Sequence, residues 1–531
     1  MSDRLRQAVR ASAGTRGIYL CHALAVGLAI YFWGPLIDAK WGLADDHEIV
    51  HFIGRHERLP AADIIATLKQ TEINSASTQA RFRPGYYTLR ALESAAWGKN
   101  PALWYTFRIG IAVLLGITLA HFCTAFAGPV LTAGFLVFAL SQPYWRDIFA
   151  RAGPAETYAV LGLCLMALGW GAASRSYIGI GRVFCIGLGI LIAAGSKENF
   201  LIAGALPLWL LFTRRVSISL ASRLLCAGVL GYLFWIASTV LNRLLQNGAD
   251  IYANDISVAY RLKLAGGFMS QPVVIIWICA IATLLAVGFR GRRRPAPGGA
   301  DPAKVVFTAT HRGYPLALGT LLLVYAAQFV FYAGKWPDGA DARYLFPGML
   351  AAHLALLVGA SAAIRFLGFA PGLRQWRTPC ELLLALAFVI PVCDGIVTNR
   401  IGAIETVRFT RELERKFGIV TRELRGLPGT VVVINSHDLW DYERAVAVAR
   451  FLKAEGLDNP VAVRLNGYSS ADRLPGSFEK RVAQLMEQLA RGDHGGTAVP
   501  FGEAVLTDCY SIGLSGPALV TCRGGTQLWP N

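Results

Sequence analysis

The sequence predicts an α-helical polytopic membrane domain followed by a small soluble α/β domain, and three observations predict it. Hydrophobic residues make up 54% of the 531 positions and charged residues only 16%, where a soluble domain carries about 25%. Apolar runs of about twenty residues, the length that crosses a bilayer core, recur through residues 1–397. Basic charge collects in alternate connections between those runs, as it does in membrane proteins whose cytoplasmic loops are positive.

The runs fall at 18–37, 101–120, 124–141, 155–174, 178–195, 199–213, 220–241, 272–289, 313–332, 343–363 and 379–397, which predicts about eleven transmembrane helices. With the Arg-rich start (Arg4, Arg6, Arg10, Arg16) in the cytoplasm, the connections 171–182, 213–223, 290–312 and 364–378 are cytoplasmic too. Together these segments hold 18 Lys/Arg against two acids, Asp3 and Asp301, or +16 of the formal net charge of +17. The positive charge therefore orients the chain and describes no nucleic-acid surface. The first run reads as a signal anchor: it exceeds the apolar core of a secretory signal, and no small-residue cleavage site follows. Most of the ten cysteines fall within runs, where they act as small apolar residues. Cys509 and Cys522 lie in the polar tail, either free or paired as a disulfide.

An odd number of spans places the tail, 398–531, outside. "ETVRFTRELERKFGIVTREL" reads as a charged helix, "TVVVIN" and "PVAVRL" as strands, and "DYERAVAVARFLKAEG" as an amphipathic helix ending at Gly456. That order suggests a small α/β unit. No glycine-rich phosphate loop follows "TVVVIN", which removes a dinucleotide site. "NSHDLWDYER", with His437, Asp438 and Asp441, reads as a strand-end loop and helix cap, or as an acceptor site. The loop 38–100 is also external. Its stripes Ile49/Phe52/Ile53 and Ile64/Ile65/Leu68 predict short helices lying on the membrane surface as a cavity wall. The linker 290–304 is Pro/Gly-rich and basic, and no internal repeat of the transporter kind is visible.

Polar clusters of mixed sign lie on the external side. They are Asp45-Asp46-His47-Glu48 after the first run, "RFRPGYY" at 81–87, Lys197-Glu198 between runs five and six, and Asp341, Arg343 and Tyr344 at the start of run ten. Arg146, Asp147, Arg151 and Glu156 add to them. Any one cluster is explained by side chains reaching the interface from a span end. The coincidence of side, opposite almost purely basic loops, favours one charged cavity. Transfer of a sugar from a lipid phosphate needs such a cavity. Cations must stabilise the departing phosphate, and a carboxylate must take the proton of the attacking hydroxyl.

The pattern resembles the polytopic glycosyltransferase C superfamily, whose members use polyprenyl-phosphate-linked sugar donors. Asp45 and Asp46 match the acidic residue or pair in that family's first external loop. Residues 81–110, "RFRPGYYTLRALESAAWGKNPALWYTFRIG", are similar to the Arg-Pro segment and following G-x-N-P stretch of many bacterial members. "SKE" at 196–198 and "RY" at 343–344 resemble further family features. The resemblance covers 1–397 in organisation, and its motifs are short. It implies an inverting transfer by a single displacement on the periplasmic face of a bacterial inner membrane. Asp45 or Asp46 would be the general base; a helical register set against the Ile49/Phe52 stripe slightly favours Asp45. Arg83, Lys197 and Arg343 would bind donor phosphate, while His47, Glu156 and Glu198 orient substrate or neutralise those cations. Tyr86, Tyr87 and Tyr344 would contact sugar or lipid, or form an interfacial belt.

The expected partners are a polyprenyl-phosphate-linked sugar donor, a glycan, lipid or protein acceptor, and membrane lipids. No cofactor is expected to be required. A divalent metal stays open, because Asp45, Asp46, His47 and Glu48 supply ligand types for Mg²⁺ or Mn²⁺. Their spacing is too tight for all four to converge from one helix, and His51 and His56 complete no zinc pattern. A lipid-linked-sugar flippase is the alternative of another class, and an envelope glycan polymerase or ligase is the nearer one. A membrane acyltransferase would centre on catalytic histidines instead.

Overall fold

The computed structural model describes residues 3–74, 81–170, 177–213, 217–247, 258–272, 274–279, 282, 313–331, 342–369, 374–436, 442–459 and 461–465, with segments 509–513, 521–523 and 526–527. The linker 290–304, Asp341, the 437–441 stretch and most of the run 272–289 lie outside the described residues, as do the side chains of Cys509 and Cys522.

The described chain is mostly helical. Its helices are α1 (Asp3–Trp33), α2 (His47–Ile53), α3 (Ile64–Leu68), α4 (Pro84–Trp97), α5 (Pro101–Thr124), α6 (Pro129–Leu140), α7 (Tyr144–Phe149), α8 (Ala155–Trp170), α9 (Ile180–Ser196), α10 (Ala205–Phe212), α11 (Leu220–Asn247), α12 (Val258–Met269), α13 (Gly313–Phe331), α14 (Phe346–Phe369), α15 (Arg377–Val389), α16 (Cys393–Arg425) and α17 (Tyr442–Ala454). Proline opens α4, α5 and α6, where its fixed φ suits the first turn and its missing N–H is no loss. Asn100 caps α5 by accepting from the Ala102 N–H at 3.2 Å.

Five stretches are long and apolar enough to cross a membrane: Thr15–Asp38, Pro101–Thr124, Leu220–Gln246, Arg343–Ile364 and Arg377–Arg425. Pro129–Leu140, Ala155–Trp170, Ile180–Ser196, Glu198–Phe212 and Leu318–Phe329 are apolar but shorter. At 1.5 Å per residue a 12-residue helix such as α6 is only ~18 Å long, against ~30 Å of hydrocarbon. The apolar runs therefore overstate the helices, because turns and 3₁₀ segments interrupt them. The run 199–213, for instance, begins as the 3₁₀ segment Glu198–Gly204.

Packing among these helices uses small residues. A Cβ on Gly162 of α8 would lie 2.4 Å from the Gly189 carbonyl oxygen of α9, and the reverse contact is equally short. Only glycine lets the two backbones touch there. One large core runs from Cys21, Ala25 and Phe32 of α1 through α5, α6, α8 and α9 to Leu357 and Val358 of α14.

The first loop does not form a separate layer. Ile49, Phe52 and Ile53 of α2 are buried, and α2 packs against α4 and α17. Its apolar stripe thus meets protein, where a surface-lying helix would have presented it to lipid. In α3, Ile65 is exposed, while Ile64 and Leu68 pack beside Phe52 and Tyr87. The chain is continuous in structure around position 397. Helix α16 passes through it without a break, since no proline interrupts 393–425. Leu413, Phe417, Val420 and Leu424 of α16 share a second core with Leu43 of the first loop and with α17. Strands β1 (Val431–Ser436), β2 (Val461–Leu465), β3 (Cys509–Gly513), β4 (Thr521–Arg523) and β5 (Thr526–Gln527) lie in the order β2-β1-β3-β4-β5. β1 runs parallel to β2, with Val432 opposite Val461, and parallel to β3; the last two pairings are antiparallel.

Candidate functional site

The acidic turn leaves α1 through Gly42 and ends as α2 begins. Asp45 has φ +64°, the only positive φ of a non-glycine residue among the described residues. Aspartate tolerates this conformation better than most side chains. Asp45 thus lies ahead of the helix, so a helical register does not decide which carboxylate faces the site. The turn decides it. Asp46 takes the N-cap position of α2, its carbonyl oxygen accepting from Ile49 at 3.0 Å and Val50 at 3.3 Å. Its side chain turns back to accept the Gly42 N–H at 2.8 Å. Asp46 is buried, whereas the Asp45 side chain is 25% exposed.

This division separates their acidities. Burial pushes the Asp46 carboxyl up to about 7, and the Asp45 charge adds to the rise, against the Gly42 hydrogen bond. Burial also raises Asp45, but the Arg343 and Arg151 guanidiniums outweigh it and hold its carboxyl below the usual value. His47 points inward as well. Burial lowers its imidazole to about 3, with the Arg450 charge of α17 acting in the same direction. Glu48 accepts from the Tyr86 hydroxyl at 2.9 Å.

Cations from two other elements meet Asp45, and a third joins the cluster through Glu156. Arg343, in the 3₁₀ turn Ala342–Leu345 before α14, places Nη1 3.3 Å from Asp45 Oδ2. Arg151, between α7 and α8, places Nη1 3.6 Å from the same oxygen. Arg343 Nε also lies 4.0 Å from Glu156 Oε1 at the start of α8. Glu156 in turn accepts a short hydrogen bond from Lys197, which follows α9. The Lys197 ammonium and the Arg343 guanidinium stand over the Tyr344 ring, 4.6 and 5.2 Å from its centre. The Tyr344 carbonyl is anchored by Gln328 Nε2 at 2.8 Å, and Asn199 Nδ2 donates to Gln328 Oε1 at 2.7 Å.

Asp45, Glu156, Lys197, Arg343 and Tyr344 are therefore brought together from positions up to three hundred residues apart. Arg83 and Glu198 form a neighbouring pair: Arg83 Nε lies 3.1 Å from both carboxylate oxygens, and the Phe82 N–H adds a bond of 3.2 Å. Asp46 and His47 are buried beside the cluster, Asp46 accepting the Gly42 N–H and His47 lying near the Arg450 charge. Arg151, which sequence reasoning left without a role, completes it. Three cations against two carboxylates leave the cluster with an excess of positive charge, suited to a phosphate. The exposed edge of Asp45 suits a hydroxyl that must lose its proton.

Sequence reasoning missed the support beneath. Arg90 of α4 and Arg108 of α5 are wholly buried. Arg108 Nη2 lies 3.0 Å from Glu93 Oε2, which also accepts from the Tyr158 hydroxyl at 2.5 Å. A charged residue in the middle of the apolar run 101–120 was the available signal for Arg108. As for a metal, no group of three His, Cys, Asp or Glu able to hold one occurs among the described residues. Asp45, Asp46 and Glu48 turn to three different partners.

Fold and site define a mostly helical protein with helices long and apolar enough to cross a membrane and a mixed-charge cluster built around its first loop. No model of a known protein family matches the chain, and no curated protein does.

Proposed function

We propose that the chain is an integral-membrane inverting glycosyltransferase. It takes a sugar from a polyprenyl-phosphate donor and passes it to a lipid, glycan or protein acceptor on the external, periplasmic face. On this reading residues 1–397 carry the eleven-span catalytic domain, and 398–531 form a soluble external α/β domain. The observation that carries the proposal is the half-open Asp45 carboxylate set against Arg343 and Arg151.

The chemistry balances with these residues. Asp45 takes the proton of the acceptor hydroxyl as its oxygen bonds to the anomeric carbon. The bond from that carbon to the phosphate oxygen breaks, and its electron pair leaves with the phosphate. Arg343, Arg151 and Lys197 stabilise the charge that develops on it. Before donor binds, the two guanidiniums keep Asp45 ionised. Donor phosphate beside Arg343 offsets that attraction and raises the basicity of Asp45 when both substrates are in place. Arg83 and Glu198 adjoin the Lys197 backbone as a second phosphate or sugar contact. Next to Arg83, an apolar groove of about 430 Å³ lined by Leu68, Ile73, Leu89, Leu191, Ile192 and Trp235 suits an isoprenoid chain.

The test uses purified full-length protein in lipid nanodiscs or vesicles with labelled polyprenyl-phosphate sugars. Sugar transfer by the wild type, abolished in Asp45→Asn while folding is kept, is the expected result. Full transfer in folded Asp45→Asn removes the base, and lipid translocation across vesicles without transfer establishes a flippase instead.

A further inference from the structure

Asp45 holds a backbone conformation that most side chains avoid. Such a residue persists only where its surroundings determine it, and here the surroundings are specific. The chain between α7 and α8 passes directly beneath the acidic turn. A Cβ built on Gly153 would lie 2.1 Å from Asp45 Cβ, 2.7 Å from its carbonyl carbon and 2.8 Å from its Cα. Two of these are backbone atoms, so no rotamer change relieves the clash. Residues 151–153 are themselves clamped from below. Arg90 donates Nη1 to the Ala152 carbonyl at 2.9 Å and Nη2 to the Gly153 carbonyl at 2.5 Å. Arg108 donates Nε and Nη2 to the Ala152 carbonyl at 3.2 and 2.9 Å. The Tyr86 hydroxyl lies 3.0 Å from the Gly153 carbonyl and 2.9 Å from Glu48, and so joins the strap to α2.

Arg108 also pairs with Glu93, but Arg90 is buried completely with the two strap carbonyls as its main hydrogen-bond partners, an expensive arrangement for a loop with no task. The strap also carries Arg151, one of the two cations on Asp45, at its first position. Its placement therefore sets both partners of that contact.

We infer that Gly153 and Arg90 are positioning residues. The Arg90-clamped strap 151–153 seats the acidic turn and fixes the Asp45 carboxylate against Arg151 and Arg343. The effect on catalysis rests on the glycosyltransferase reading above; the effect on the turn does not. Gly153→Ala drives a methyl group into the turn. Arg90→Lys keeps the charge but replaces a fork that reaches two carbonyls with a single ammonium. Tyr86→Phe removes only one hydroxyl from the strap.

Hydrogen exchange read by mass spectrometry on the full chain in nanodiscs, with the sugar-transfer assay alongside, tests this. In Gly153→Ala and Arg90→Lys, amides of 41–48 should exchange about tenfold faster, with α5, α8 and α9 unchanged. Turnover should fall about 100-fold while the donor KM stays within a factor of two, as expected when a catalytic group is displaced but not removed. Tyr86→Phe should show a smaller shift in the same segment, and it decides the matter if the other two fail to fold. Unchanged exchange of 41–48 in the folded variants overturns the inference. So does faster exchange spread through α5 and α8, which marks a general fold contact, or normal turnover in an active protein whose turn has loosened. If the wild type transfers no sugar, the proposed function fails, and the exchange data alone decide whether the strap seats the turn.

Discussion

Replacing Asp46 by Asn separates the two adjacent carboxylates by both stability and activity. Asp46 is 1% exposed, and its carboxyl is pushed from 3.8 to about 7. Well below pH 3.8 the carboxyl is protonated in the folded and the unfolded chain alike. As pH rises from 4 towards 7, the unfolded carboxyl ionises while the folded one stays protonated. Its contribution to stability is therefore full at low pH, is lost as pH rises, and levels off above 7. A difference of about three pKa units corresponds to ~4 kcal/mol across that window. Asn cannot ionise, yet its side-chain oxygen can still accept the Gly42 N–H. The stability of Asp46→Asn relative to wild type should therefore climb by ~3 kcal/mol between pH 4.5 and 8. Thermal unfolding in detergent at several pH values measures this as a difference between the two proteins. The difference matters because His47 has a slope of opposite sign that masks the effect in either protein alone. Asp46→Asn should also keep most of its sugar transfer. A stability difference that stays flat over the window shows that Asp46 is ionised in the folded protein and refutes the argument. A loss of transfer as deep as that of Asp45→Asn refutes the division of roles.

The remaining expectations concern the neighbouring groups. Asp45→Asn should lower the transfer rate by about 10²- to 10⁴-fold, the usual contribution of a general base, with its melting temperature lowered modestly because Arg343 and Arg151 lose their partner. Arg343→Lys, which loses the planar fork, should raise the donor KM by about tenfold more than it lowers turnover. Glu156→Gln removes the carboxylate to which Lys197 donates and should cost about 3–5 kcal/mol of stability in unfolding measurements; adding Lys197→Met should restore much of it. The His47 imidazole is lowered to about 3 in the folded chain. Its contribution is therefore present above pH 6.5 and lost as pH falls towards 3, so His47→Gln should gain about 2 kcal/mol on wild type at pH 5.

Particular residues show how far the sequence could be read. The clusters at 45–48, 81–87, 197–198 and 343–344 stood out because mixed charge is rare beside apolar runs, and Asp45, Glu156, Lys197 and Arg343 do meet. The choice between Asp45 and Asp46 followed from no periodicity. It depends on a φ of +64° and on a Gly42 N–H that draws Asp46 inward. Helix α2 was legible from Ile49, Phe52 and Ile53, but what covers it was not, since burial against protein and burial against lipid use the same side chains. Arg90 and Gly153 left no trace at all. An arginine among "YYTLRALES" reads as an ordinary helix residue, and the glycine of "ARAGPAE" reads as a loop.

By itself the sequence determined that this is a chain rich in apolar helices, some long enough to cross a membrane, because apolar length and composition are local properties that tertiary contacts do not rewrite. It also marked the positions where charge had to be accommodated. Only the tertiary structure decided how many apolar runs become helices long enough to span, which carboxylate stays open, and what holds it. Those outcomes depend on backbone approach and on partners far apart in the chain. Arg343 reaches Asp45 across 298 positions, and Gly153 supports it through contact between backbones. Neither relation has a period or a motif from which it could be read.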